Sequence, residues 1–248
     1  MELLNVNIPS WSDLSRWIPE LVLCGTFLAA LLGDLVVRGR RPWVPFVITV
    51  FGLITAGSYA VAQLGDPALA GGLTIMGDLV VVDGLAAYFR LLFIFTGLAV
   101  TLFAWTSEEI MGKLRENKGE FFALTAFLTL ASMVMAEATD LLMLYLSMEG
   151  VGLASYVMAG YMRTTLRSTE AALKFVIFGA VSSALMLYGM SLLYGMTGSL
   201  GFAGIRAGLV GGEAHGFGLL VAVILVLAGF SYKIAAVPFH YWCPDVYE

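Results

Sequence analysis

The sequence predicts an all-α membrane protein with about seven transmembrane helices. Three observations carry that expectation. Of 248 residues, 60% are hydrophobic and 12% charged, where a soluble domain carries about 25% charged; the mean hydropathy is +0.90. One soluble core could not hide so much apolar surface, so a bilayer must cover the rest. The apolar residues also fall in runs of about 20, enough to cross the hydrocarbon as a helix and too long for barrel strands. Finally, the basic residues sort into alternate loops.

In chain order, the spans are expected at Ile18–Val37, Trp43–Leu64, Val80–Trp105, Phe121–Ala136, Leu141–Tyr161, Ala171–Gly195 and Phe217–Tyr241. The stretch before the first, Met1 to Trp17, lacks the basic region of a removable signal peptide. Arg38, Arg40 and Arg41 follow the first span, Lys113, Arg115 and Lys118 the third, and Arg163 and Arg167 the fifth. The alternate loops hold Arg16 and Arg206. Eight against two satisfies the positive-inside rule with the N-terminus outside. The fourth span is short, and Glu137-Ala138-Thr139-Asp140 should join it to the fifth in a tight helical hairpin. Glu108–Glu120 reads as a solvated loop or short interfacial helix, and the Gly-rich Thr197–Gly216 as irregular. No strand is expected. Nothing suggests a second domain: residues 1–248 read as one transmembrane domain, with helices 1–3 in 1–118 and helices 4–7 in 119–248. Cys24 and Cys243 lie towards opposite membrane faces in this topology, which argues against a disulfide. A net charge of -5 leaves no basic face for nucleic acid.

Several charges fall where lipid should forbid them. Glu149 lies eight residues into the fifth span, near the bilayer centre at about 1.5 Å per residue. A charge there costs at least about 2.5–3.5 kcal/mol on insertion scales, so it should face a bundle interior or water. Its structural alternative is a buried hydrogen bond. Lys233 lies deep in the last span, five residues before Pro238. Pro238 has no N–H for the carbonyl of Ile234, so the helix should kink or break within Ile234–Pro238. Such breaks recur at transporter sites. His240, seven residues beyond Lys233, shares its face if the helix survives. Lys174 follows Glu170 by one turn, which would make a local ion pair. Arg90 follows Asp83 by seven residues, and an ion pair between them is one reading. Burial disfavours the charged form of acid and amine alike, and an opposite charge nearby restores it. A Glu–Lys pair in such surroundings is a candidate proton switch.

Three strings in this sequence are specific: Ala138–Glu149 (ATDLLMLYLSME), Glu170–Phe175 (EAALKF) and Tyr232–Glu248 (YKIAAVPFHYWCPDVYE). Together they resemble subunit N of bacterial complex I, the NADH-quinone oxidoreductase, over about Val80 to the end. The closing Pro-Asp-Val-Tyr-Glu resembles subunit N more than the related L and M subunits or the cation/proton antiporters. The resemblance implies an antiporter-like fold with a broken seventh helix, in a proton-translocating, non-redox subunit of the membrane arm. It places Glu149, Lys174 and Lys233 in the proton path, with His240 beside them. It also implies that 119–248 holds part of a first antiporter-like repeat, that the chain is an N-terminal half, and that it lies in a bacterial inner membrane.

No cofactor is expected in the chain itself. Two cysteines cannot hold an iron–sulfur cluster, which typically takes four. The resemblance implies that NADH, FMN, iron–sulfur clusters and quinone belong to partner subunits. The expected partners are other membrane-arm subunits, the lipid bilayer and protons. The competing readings are a subunit of a cation/proton antiporter and a structural membrane scaffold.

Overall fold

Long apolar helices dominate the computed structural model, which describes residues 11–37, 41–65, 71–113, 118–162, 165–211 and 216–247. Six of them are long and apolar enough to cross a membrane, and a seventh apolar helix is shorter. Of the basic residues that set the expected orientation, Arg38, Arg40, Arg115 and Arg163 lie outside the described residues. The chain divides into two compact units, Met1–Thr139 and Asp140–Glu248.

The first unit opens with a short helix, α1 (Trp11–Arg16), then α2 (Ile18–Val37) and α3 (Trp43–Leu64). Both long helices keep the bounds predicted from hydropathy. The next predicted span, from Val80, is corrected. Leu73–Ile75 (β1) and Val80–Val82 (β2) form an antiparallel hairpin, and α4 starts only at Gly84 and runs to Thr106. Val80, Val81 and Val82 are β-branched, which suits a pleated strand. The hairpin turn places Met76 and Asp78 at φ 56° and 66°. Asp83 then caps α4 by accepting the Ala86 N–H at 2.7 Å. A six-residue helix, α5 (Glu108–Lys113), precedes α6 (Lys118–Glu137), which is longer than the predicted fourth span. Helices α2, α3, α4 and α6 pack around Leu23, Leu53, Ala56, Ala60, Ile94 and Met133.

The second unit begins with α7 (Leu141–Ala159), whose cap Asp140 accepts the Leu142 N–H at 2.7 Å. Next comes α8 (Leu166–Thr197), 32 residues and so about 48 Å long, well beyond the hydrocarbon thickness. It stops at Gly198, whose φ of 68° suits a residue without a Cβ and whose N–H bonds the Tyr194 carbonyl at 2.8 Å. The stretch predicted to be irregular contains a helix, α9 (Phe202–Val210). The last predicted span, Phe217–Tyr241, is two pieces: α10 (Phe217–Lys233) and α11 (Trp242–Tyr247). With 17 residues, α10 is about 25 Å long. Both α10 and α7 pack on α8, and α11 seats on α8 as well.

Candidate functional site

Glu149 and Lys233 meet. Lys233 is the last residue of α10, and its Nζ lies 2.7 Å from Glu149 Oε1 on α7. The side chains are 11% and 21% exposed, so the pair is enclosed without being sealed. Ser183 on α8 donates to the same carboxylate oxygen at 2.5 Å. Three helices thus converge on one carboxylate, and Glu149 faces protein partners, as its insertion cost requires.

The helix break positions the lysine. Beyond Lys233, Ala235 sits in the left-handed region with φ 51°, and the Val237–Pro238 bond is cis. The break comes before Pro238 because the proline ring excludes a helical carbonyl four residues earlier, at Ile234. The freed polar groups find other partners. The Ala236 N–H bonds the Ser231 carbonyl at 2.8 Å, and the Trp242 indole donates to the Tyr232 carbonyl at 3.2 Å. Trp242 stacks on Phe175 of α8, ring centroids 4.6 Å apart, and Tyr232 donates its hydroxyl to the Phe175 carbonyl at 3.2 Å. Tyr156, Phe175, Tyr232 and Trp242 form a buried aromatic cluster beneath the break.

Tyr156 gives the lysine a second partner. Lys233 Nζ donates to the Tyr156 hydroxyl at 3.3 Å and stands 5.7 Å from the ring centroid. Two glycines make room. A Cβ at Gly152 would come within 3.0 Å of Lys233 Nζ, and one at Gly179 would collide with the Tyr156 hydroxyl. A charged donor between an anion and a neutral hydroxyl can exchange one for the other through a side-chain movement.

The other two predicted residues lie apart from this pair. Lys174 bonds Glu170 Oε1 at 2.9 Å, the predicted local pair, and Asp245 Oδ2 at 2.8 Å. Its side chain is 38% exposed. His240 is exposed on the turn before α11. Its predicted shared face with Lys233 required an intact helix, which the break removes. Ser183 and Tyr156 went unremarked in the sequence. Their signals were present: Tyr156 follows Glu149 by seven residues on α7, two helical turns along the same face, and Ser182-Ser183 interrupts an apolar helix.

Arg90 corrects a prediction. It does not pair with Asp83, which caps α4. Its Nε lies 2.7 Å from Glu20 Oε1 and 2.7 Å from Glu137 Oε1, all three side chains fully buried in the first unit. Its Nη1 donates to Gln63 Oε1 at 2.6 Å.

Comparison with known proteins fits this architecture. Residues 138–248 match the family model described as NADH:quinone oxidoreductase/Mrp antiporter, TM. A protein of Chlorobium chlorochromatii named NADH-quinone oxidoreductase subunit N is 42% identical over 233 residues, covering 94% of this chain and 44% of that protein. The chain is homologous to subunit N. A chain in the structure of respiratory complex I from Thermus thermophilus with bound aureothin superposes with TM-score 0.71 at 28% identity, over 92% of this chain and 47% of that one. A chain of the Mrp complex from Dietzia shares the fold, with TM-score 0.74 at 20% identity over 94% of this chain and 43% of that one. The chain therefore spans about half the length of the relatives it matches. The resemblance to subunit N read from three short strings over about Val80 to the end is borne out, and it extends over 94% of the chain. This is a multi-pass membrane protein with an antiporter-like fold.

Proposed function

We propose that this chain forms the N-terminal half of a proton-translocating membrane-arm subunit of an NADH:quinone oxidoreductase, with Glu149–Lys233 as its protonation switch. The observation that carries the proposal is the ion pair at the end of a broken helix, with Lys233 Nζ 2.7 Å from Glu149 and 3.3 Å from the Tyr156 hydroxyl. While the ion pair holds, both members stay charged. When the lysine turns to Tyr156, the carboxylate loses its counterion in a poorly hydrated site and takes up a proton. Ser183 holds the carboxylate in place in either state. Lys174 with Asp245, and His240 on the turn, extend the proposed path away from the pair.

On this reading the chain is a non-redox part of a translocase. NADH, FMN, iron–sulfur clusters and quinone belong to partner subunits, and the chain sits among other membrane-arm subunits in a bacterial inner membrane, N-terminus outside. The test uses the complete enzyme in sealed vesicles, following NADH-driven proton uptake beside NADH oxidation. Lys233→Met and Glu149→Gln should each assemble and pump fewer protons per NADH. Normal assembly with undiminished pumping in both would defeat the proposal.

A second reading, a subunit of a cation/proton antiporter, is favoured by the family description, which covers both kinds of protein. Co-purification with soluble flavin and iron–sulfur subunits separates the two.

A further inference from the structure

The first unit holds a second set of buried charges whose sum does not balance. Glu20 is the third residue of α2, Gln63 lies one before the end of α3, Arg90 is in the second turn of α4, and Glu137 ends α6. Four helices therefore bring these groups to the same end of the bundle. Two carboxyl groups share one guanidinium, and the three side chains have no exposure. Both carboxyl oxygens approach one N–H, the Arg90 Nε, at 2.7 Å, which brings the carboxyls into direct interaction with each other.

Their other partners differ. Glu137 Oε2 accepts the Trp17 indole N–H at 3.1 Å, whereas Glu20 Oε2 is buried with no hydrogen-bond partner. Among the described residues, Arg90 is the cation that pairs with these carboxyls. Gln63 is neutral and spends its amide N–H on the Arg16 carbonyl at 2.8 Å. Arg16 itself, on α1, makes no ion pair with either carboxyl among the described residues. Two ionised carboxylates here would leave one uncompensated charge in a dry site, which burial strongly disfavours.

We infer that Glu20 and Glu137 share one proton, making this end of the first unit a proton-binding site in its own right. The proton resides on Glu20, the poorer acceptor site. Glu137, which has two donors of its own, remains the anion that balances Arg90. The site uses neither Glu149 nor Lys233, so its test stands apart from the proposed switch.

The test is infrared difference spectroscopy on membranes carrying the complete enzyme, comparing wild type with Glu20→Gln and Glu137→Gln in H2O and D2O. A shared proton gives a protonated-carboxyl C=O band that shifts in D2O. Glu20→Gln should remove that band. Glu137→Gln should remove it too, because Glu20 then becomes the sole counterion of Arg90 and ionises. A band retained in either variant overturns the inference. So does a failure of Glu20→Gln to assemble, since a neutral amide should replace a protonated carboxyl at that position. If Glu137→Gln does not assemble, the Glu20→Gln spectrum decides alone.

Discussion

Arg90 and Lys233 are both cations inside apolar helices, and the two units hold them differently. Arg90 is fully buried, with two carboxyls and a glutamine amide oxygen around it and backbone-anchored neighbours behind them. Lys233 is paired with one carboxylate, stands beside one hydroxyl, and keeps 11% of its side chain exposed. The first arrangement fixes a cation by enclosing it between two carboxyls and an amide oxygen. The second gives a cation one anion and a neutral alternative. Full enclosure suits a charge that stays; a sparse, slightly open pair suits a charge that changes partner.

The comparison breaks most visibly at Arg90. Arg90→Met would leave two carboxyl groups buried without their cation, and removing one partner of a buried pair costs about 3–5 kcal/mol. Loss of the subunit from the membrane, read by immunoblot, is the expected outcome. Wild-type abundance would show that the cluster is not what holds this end of the bundle. At the second site the space beside Tyr156 is the sharper target. Gly179→Val would drive a side chain into the Tyr156 hydroxyl, and overpacking of this kind costs about 1–3 kcal/mol. Thermal stability should fall and proton uptake with it, while Gly195→Ala, at a position with open space around it, should leave both unchanged.

Smaller effects separate positioning from packing. Ser183→Ala removes one hydrogen bond to a charged group, worth about 1.5–3 kcal/mol when buried. Pumping per NADH should drop less than in Glu149→Gln, because the carboxylate keeps its lysine. An equal loss would make the serine a required member of the path. The smallest stability change is expected at Lys174, whose two pairs are largely exposed. Lys174→Gln should leave thermal stability nearly unchanged, with any difference shrinking in high salt. A salt-insensitive loss would mean that the pair is enclosed by a partner in the assembled protein.

Local signals were legible in the sequence to the extent that local physics produced them. Helices α2 and α3 end where hydropathy ends. The break after Lys233 follows from one proline. The i, i+4 pair of Glu170 and Lys174 needs nothing but helical geometry. What escaped depends on contacts distant in sequence. Arg90 pairs with residues 70 and 47 positions away, and no periodicity points to either. The second strand of the hairpin, Val80–Val82, is absorbed into a predicted span because three valines read as hydrophobic under any secondary structure. His240 shows two local inferences in conflict. Its shared face with Lys233 assumed a helix that Pro238, read correctly, had already ended. The meeting of Glu149 with Lys233 was equally out of reach, since α8 lies between them in sequence and brings them together by packing.

The room left by Gly152 also carries a statement about time. The ammonium of Lys233 lies 2.7 Å from Glu149 and 3.3 Å from the Tyr156 hydroxyl at once, so the proposed change of partner asks for the movement of one side chain. Exposed side chains change rotamer in roughly picoseconds to nanoseconds, and collective motions of helices take about microseconds to milliseconds. In the proposed switch, exchange of partners therefore belongs to the faster class of motion. On that proposal the lysine follows the local field, and the pace of exchange is set by whatever alters that field.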